Sequence, residues 1–176
     1  MNFLKGGRKN NMESYEPFNS INSNYAEYFV SEALKKRYVL DASVISKWYY
    51  EKDEQDLFNA AAIYNNLQSR QYTFFAPDLL IFEILNIFRM KPGMNDLKIN
   101  GIINELYDLI VILGMNKNSF RKAFTISRDL NISFYDSIYL ALADDIDAGL
   151  ITADKKLFNS ANSAGISIIM LSDFAG

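Results

Sequence analysis

The sequence predicts an α/β fold, a three-layer α/β/α domain on a mainly parallel central sheet of about four to five strands. From Arg37 onward, short β-favouring apolar segments alternate with longer segments of helical periodicity. The segments "LIVIL" and "ISIIML" are uninterrupted or nearly uninterrupted apolar runs, which is typical of parallel strands covered by helices on both faces. With 176 residues, 49% of them hydrophobic, the chain is long enough for one core and short for two ordinary domains.

The first half of this pattern gives two strands and three helices. "RYVL" is the first strand, and Asp and Ser are candidate caps for a helix in "DASVISKWYY". A second helix is predicted in "DEQDLFNAAAIYNNLQSR", because acidic residues favour a first turn. "YTFFA" is the second strand, and "DLLIFEILNIFRM" is a helix that "KPG" ends.

The second half repeats the alternation. "LKINGIINELYDLIVILGM" divides into a helix and the strand "LIVIL", and two helices follow in "NKNSFRKAFTISRDLN" and "SFYDSIYLALADDIDAG". "LIT" is a strand, "DKKLFNSANSAG" a helix and "ISIIML" the last strand.

Residues 1–36 differ in composition from this domain, which is predicted over 37–176. The segment is rich in Asn, Ser and Gly, so a polar extension is expected, partly disordered or with a short helix in "YAEYFVSEALKKR". No run approaches the roughly 18 apolar residues of a membrane span, and the N-terminus lacks the apolar core of a signal peptide. We therefore expect a cytoplasmic protein that does not contact a membrane.

The composition excludes several kinds of chemistry, because the chain contains no histidine and no cysteine. Serine–histidine–aspartate triads, cysteine nucleophiles, disulfides and thiolate or imidazole metal sites are ruled out. Carboxylate-held Mg²⁺ or Mn²⁺ stays possible, since hard cations prefer oxygen ligands. The formal net charge of −3 gives no overall attraction to nucleic acid, although a bound cation reverses the local sign.

Four carboxylates occupy positions that need an explanation. Asp41 and Asp154 each follow a predicted strand, at the sheet edge where open parallel sheets bind ligands. Glu83 lies in a helix that is apolar on nearly every side, and a charge there needs a partner. Asp136 begins another apolar helix. For Asp41 and Asp154 the structural alternative is helix capping, and in the helix of Asp136 the cap is Ser133 or Asp136. For Glu83 the alternative is a salt bridge to a lysine or arginine.

The segments that hold these acids resemble the PIN domain family, and within it the VapC-type toxins of prokaryotic toxin–antitoxin pairs. "VLDASV", "FEILNIF", "YDSIYLALA" and "GLITADKKL" occur in the family's order, and the resemblance covers Arg37 to about Phe174. It implies that the acidic side chains bind Mg²⁺ or Mn²⁺ and are catalytic, and that three polar residues support them. The implied catalytic and metal-binding residues are Asp41, Glu83, Asp136 and Asp154, with Ser43, Asn86 and Thr152 in support.

The resemblance also implies hydrolysis of RNA phosphodiester bonds, in which metal ions activate a water and stabilise the leaving oxygen. A homodimer and a cognate antitoxin that covers the acidic pocket are the implied partners. Five basic residues near the motifs are candidate phosphate ligands, whereas Tyr135 and Tyr139 are expected in the core rather than as stacking platforms. These basic residues are Lys47, Arg89, Lys91, Lys155 and Lys156.

Two alternatives stay open. One is a PIN-domain nuclease of RNA processing without a toxin role. The other is a non-catalytic α/β interaction module in which the four acids are caps and salt bridges.

Overall fold

The computed structural model describes residues 35–69 and 71–174. The predicted polar extension, including its short helix, lies outside the described residues apart from Lys35 and Lys36. Lys36 belongs to the first strand, one residue before the predicted start.

Five parallel strands form the central sheet, in the spatial order β3-β2-β1-β4-β5. Their bounds are β1 Lys36–Leu40, β2 Tyr72–Pro77, β3 Val111–Leu113, β4 Gly149–Thr152 and β5 Ile168–Met170. Among the described residues, seven α-helices connect or follow these strands. They are α1 Ala42–Ile45, α2 Leu57–Asn66, α3 Leu79–Phe88, α4 Asp96–Leu109, α5 Lys117–Leu130, α6 Phe134–Asp145 and α7 Lys155–Ser163.

The core has one layer on each face of the sheet, because successive strand residues point to opposite faces. In β1, Val39 packs with residues of α6 and α7, whereas Leu40 packs with residues of α2, α3 and α4. Leu150 and Ile151 of β4 divide between the two layers in the same way. The predicted three-layer α/β/α fold with a parallel sheet is confirmed.

The strand order creates a switch point between β1 and β4. After β1 the chain continues to β2 and β3 on one side, and it then returns to place β4 and β5 on the other side. Leu40 of β1 pairs with Ile151 of β4, so the two strands end side by side. Ligands of open parallel sheets bind beyond the strand ends at such a point.

Several predicted element bounds are wrong by a few residues. The helix predicted from Asp53 begins at Leu57, because Asp53 and Asp56 have left-handed φ angles of 62° and 56° that no helix continues. The third strand is shorter than "LIVIL", since α4 extends to Leu109. The last strand ends at Met170, where a 3₁₀ turn begins.

No helix within 35–69 and 71–174 has the length and apolar character needed to cross a bilayer.

Candidate active site at the β1–β4 switch point

Asp41 lies at the centre of the candidate site. It is the first residue after β1, and its backbone N–H donates to the carbonyl of Ile151 at 3.1 Å, which continues the β1–β4 pairing. The side chain is only 8% exposed. Its Oδ2 accepts hydrogen bonds from Ser43 Oγ and Thr152 Oγ1, both at 2.6 Å. Asp41 precedes α1 but makes no side-chain cap bond, so the capping alternative does not account for this carboxylate.

The two hydroxyl groups also fix the loop after β4. Ser43 Oγ accepts from the backbone N–H of Ala153, and Thr152 Oγ1 accepts from that of Asp154, both at 3.0 Å. Asp41 is thereby connected through two side chains to the strand end that carries Asp154. The expected support of Asp41 by Ser43 and Thr152 is consistent with these contacts.

Glu83 extends from α3 toward α6. Its Oε2 accepts a hydrogen bond from Tyr139 Oη at 2.5 Å. Tyr139 is 1% exposed, and its hydroxyl lies near the backbone of Ala42 at the start of α1. A tyrosine hydroxyl therefore takes the place of the salt bridge that was the structural alternative for Glu83.

Asp136 is half-buried in the first turn of α6, which Ser133 caps by accepting a hydrogen bond from the Asp136 N–H at 3.0 Å. The Ser133 alternative is thus realised, and the carboxylate of Asp136 is not the cap. Its negative charge acts on both Asp41 and Glu83.

The electrostatics show that three of the four predicted acids share one region. Burial raises the pKa of Asp41, the hydrogen bonds from Ser43 and Thr152 oppose this, and the charge of Asp136 raises it again. Burial likewise raises the pKa of Glu83, the Tyr139 hydrogen bond lowers it, and the charges of Asp41 and Asp136 add to the rise. Negative charges that raise the pKa of neighbouring carboxyl groups favour a cation between them.

Asp154 plays a different local role. It is exposed, and its Oδ1 accepts from the backbone N–H groups of Lys156 and Leu157 at 2.7 and 3.0 Å, which makes it the N-cap of α7. Asp154 is absent from the charges that raise the pKa of Asp41 and Glu83. The backbone N–H of Asp154 donates to Thr152 Oγ1, which in turn donates to the Asp41 carboxylate.

The residues fit a hard cation that keeps several of its water ligands better than a cation enclosed by protein ligands alone. Across the described part of the chain, no three acidic side chains stand close enough together to hold a metal ion by themselves. Mg²⁺, however, keeps several waters and is usually bound by one or two carboxylates together with substrate phosphates. One carboxylate oxygen of Asp41, of Glu83 and of Asp154 accepts hydrogen bonds from protein donors, which restricts the orientation of each side chain.

The predicted supporting residue Asn86 and the predicted phosphate ligands Lys155, Lys156 and Lys91 have different surroundings. Asn86 lies on α3 one turn from Glu83, and its Oδ1 accepts from Arg89 Nε at 2.9 Å. Lys155 and Lys156 are exposed beside Asp154, as a phosphate ligand requires. Lys91 lies 4.4 Å from the ring centroid of Tyr50.

Two sequence predictions are wrong. Lys47 is buried and forms a 2.6 Å ion pair with Glu54, so this lysine does not offer its charge to a phosphate. Tyr135 is 60% exposed rather than in the core, and it lies in the first turn of α6. Tyr139 is buried as expected, but its contact with Glu83 was missed; its position three residues after Asp136, on the same helical face, was the available signal.

Comparisons with known proteins give a matching family model and solved structures with a similar fold. A family model for the PIN domain matches residues 38–162, and no curated protein matches the chain. A chain of FitAB bound to the IR36 DNA fragment aligns with a TM-score of 0.61 and 15% identity, over 79% of this chain and 98% of that one. VapBC2 from Rickettsia felis, bound to a DNA fragment from its promoter, gives a TM-score of 0.56 at 12% identity, over 76% and 98% of the two chains.

PAE2754 from Pyrobaculum aerophilum also aligns, with a TM-score of 0.56 and 16% identity over 77% of this chain and 90% of that one. At such identities the solved structures show a common fold. The family model covers well over half of the sequence and includes the segments that carry Asp41, Glu83, Asp136 and Asp154. The chain therefore belongs to the PIN domain family.

Proposed function

We propose that this protein is an endoribonuclease that depends on Mg²⁺ or Mn²⁺ and acts as the toxin of a toxin–antitoxin pair. PIN domains are nucleases, which supports phosphodiester hydrolysis as the reaction. The observation that carries the proposal is the acidic cluster of Asp41, Glu83 and Asp136 at the switch point of the sheet. Two of these acids have raised pKa values, as expected for carboxylates arranged to receive a cation.

The protein groups have separate tasks in this proposal. Asp41 and Glu83 hold the cation, with Asp136 and Asp154 as further oxygen ligands from α6 and the end of β4. Ser43 and Thr152 keep the Asp41 carboxylate in one orientation. When bound, the cation supplies Lewis-acid polarisation of the scissile phosphate and acidifies the attacking water.

The basic residues that remain exposed position the RNA. Lys155 and Lys156 begin α7 beside Asp154, and Arg89 follows α3 near Asn86. Their charges attract phosphates on either side of the acidic cluster, and the salt dependence of RNA binding follows from the number of such contacts.

The toxin assignment is supported by the structural likeness to FitAB and VapBC2, which are toxin–antitoxin complexes. It entails a cytoplasmic homodimer and an antitoxin whose segment covers the acidic cluster. A small reading frame beside the gene, whose product binds this chain and abolishes cleavage, is the expected finding. A protein that cleaves RNA and has no such partner belongs instead to RNA processing.

The experiment is an RNA-cleavage assay with Mg²⁺ or Mn²⁺ on the wild type, Asp41→Asn and Asp108→Asn. Asp108 is an exposed acid of α4, so its substitution controls for the loss of one negative charge. We expect cleavage by the wild type and Asp108→Asn, abolished by EDTA, and none by Asp41→Asn. Absence of EDTA-sensitive cleavage in the wild type would support the non-catalytic interaction-module alternative. Full activity in Asp41→Asn would contradict the assignment of the nuclease site to Asp41.

A further inference from the structure

Two exposed aromatic rings border the candidate active site. Phe82 on α3 is 71% exposed and Tyr135 on α6 is 60% exposed. Together with Leu79, Glu83 and Asn86, they line an open pocket of about 400 Å³. Exposed rings of this size forgo the burial that stabilises aromatic residues, so their clustering at a concave surface points to a ligand.

The pocket shares residues with the acidic cluster. Phe82 directly precedes Glu83, and Tyr135 directly precedes Asp136. Adjacent helical residues are about 100° apart around the axis, so each ring lies beside an acid of the cluster without pointing in the same direction. Tyr135 lines the same pocket as Glu83, so the two helix segments that carry these pairs lie near each other.

We infer that Phe82 and Tyr135 form a stacking subsite for a nucleobase of single-stranded RNA next to the cleaved bond. The inference rests on the proposed function. Single-stranded RNA is recognised by unstacked bases that lie against aromatic side chains, and stacking is tolerant of base identity because every base has a π face. A pocket that opens beside the acidic cluster places a stacked base within one nucleotide of the phosphate held there.

Two polar side chains give the pocket the character of a site for a base. Glu83 and Asn86 add a carboxylate and an amide to a lining that is otherwise apolar and aromatic. Arg89 donates to Asn86 Oδ1, which orients the amide and brings a guanidinium to the edge of the pocket for the RNA backbone. A base with its phosphate matches this combination of ring, amide and positive charge.

The test combines protein variants with RNA variants. Cleavage of one RNA is compared with cleavage of the same RNA carrying a single abasic nucleotide at each position beside the cleaved bond. Phe82→Ala and Tyr135→Ala are the test variants, and Phe82→Tyr and Tyr135→Phe retain a ring. Two equally exposed aromatic residues on other helices, in Phe58→Ala and Tyr107→Ala, are the matched controls.

At one position, we expect the abasic nucleotide to raise KM for the wild type by roughly 5- to 150-fold. Phe82→Ala and Tyr135→Ala should raise KM for intact RNA by a comparable factor. Their KM should rise little further on that abasic RNA. The ring-retaining variants and both controls should behave as the wild type. All test positions are exposed, so thermal unfolding should show that every variant is folded.

Four results would overturn the inference. Alanine variants that cleave intact RNA as well as Tyr107→Ala show that the rings bind no base, while the proposed nuclease function stands. If the alanine variants are impaired relative to the wild type by the same factor on intact RNA and on every abasic RNA, the rings do not act by stacking on a base. A change from dimer to monomer in light scattering, with cleavage retained, assigns the surface to a protein interface. A wild type that cleaves no RNA removes both proposals.

Discussion

The hydrogen bond between Tyr139 and Glu83 should contribute measurably to stability. In Tyr139→Phe the half-buried Glu83 loses its hydroxyl donor, while the buried ring and its packing are retained. An unsatisfied acceptor of this kind costs roughly 1–3 kcal/mol, and partial access of Glu83 to water favours the lower part, about 1–2 kcal/mol. For a domain of this size that corresponds to a fall in Tm of roughly 3–6 °C.

The pH dependence separates this explanation from a packing defect. Burial first, and then the nearby negative charges, raise the folded-state pKa of Glu83 above its ordinary 4.5, so its ionisation opposes folding at neutral pH. Removal of the Tyr139 donor raises that pKa further. The stability gap between wild type and Tyr139→Phe should therefore be largest near neutral pH. It should shrink as pH falls toward 4.5, because Glu83 becomes protonated in the folded state of both proteins.

The assay is urea unfolding of metal-free protein across that pH range, with Tyr135→Phe as the control. Tyr135 is exposed, so loss of its hydroxyl should change the free energy of unfolding by less than about 0.5 kcal/mol. A Tyr139→Phe protein as stable as the wild type, or a gap that does not vary with pH, would refute the reasoning.

Predictions at three further positions follow from hydrogen bonds and burial in the structure. Asp154→Ala should lower Tm by about 3 °C through loss of the α7 cap, whereas Asp154→Asn should keep the cap, and both should lose cleavage. Burial raises the pKa of Asp41, so Asp41→Asn should unfold at a higher Tm than metal-free wild type at pH 7, with the difference vanishing toward the ordinary pKa of 3.8. Hydrogen bonds from Lys122 and then Ser119 lower the pKa of Asp145, so Asp145→Asn should be less stable than wild type at neutral pH. The difference in free energy of unfolding between wild type and Asp145→Asn should disappear as pH falls below 3.8. A difference of the same size at acidic and at neutral pH, measured by denaturant unfolding, would contradict this prediction.

The part of the site that strand ends define could be predicted from the sequence. Asp41 and Thr152 lie at the ends of two apolar strands, and the carboxyl ends of parallel strands meet at one edge of a sheet. Their 2.6 Å hydrogen bond is the direct result of that topology. Capping by Ser133 was likewise available, because the residue types and local backbone determine helix starts.

The part that depends on helix rotation could not be predicted. Whether a residue of α6 faces the sheet or solvent is decided by the packing of that helix against its neighbours. This is why Tyr135 was expected in the core and lies outside it, and why the contact of Tyr139 with Glu83 on a different helix was missed. The burial of Lys47 depends on its ion pair with Glu54, across a turn whose geometry the sequence pattern does not define.

The most direct test of the central claim is a calorimetric titration of Mn²⁺ and of Mg²⁺ into metal-free wild type, Asp41→Asn and Asp108→Asn. The acidic cluster predicts saturable binding to the wild type and to Asp108→Asn, and little or none to Asp41→Asn. The bound ion should also raise the Tm of the two binding proteins alone, because it stabilises only the folded state. Equal binding by Asp41→Asn, or no binding by the wild type even with RNA present, would contradict a metal-dependent nuclease site at the end of β1.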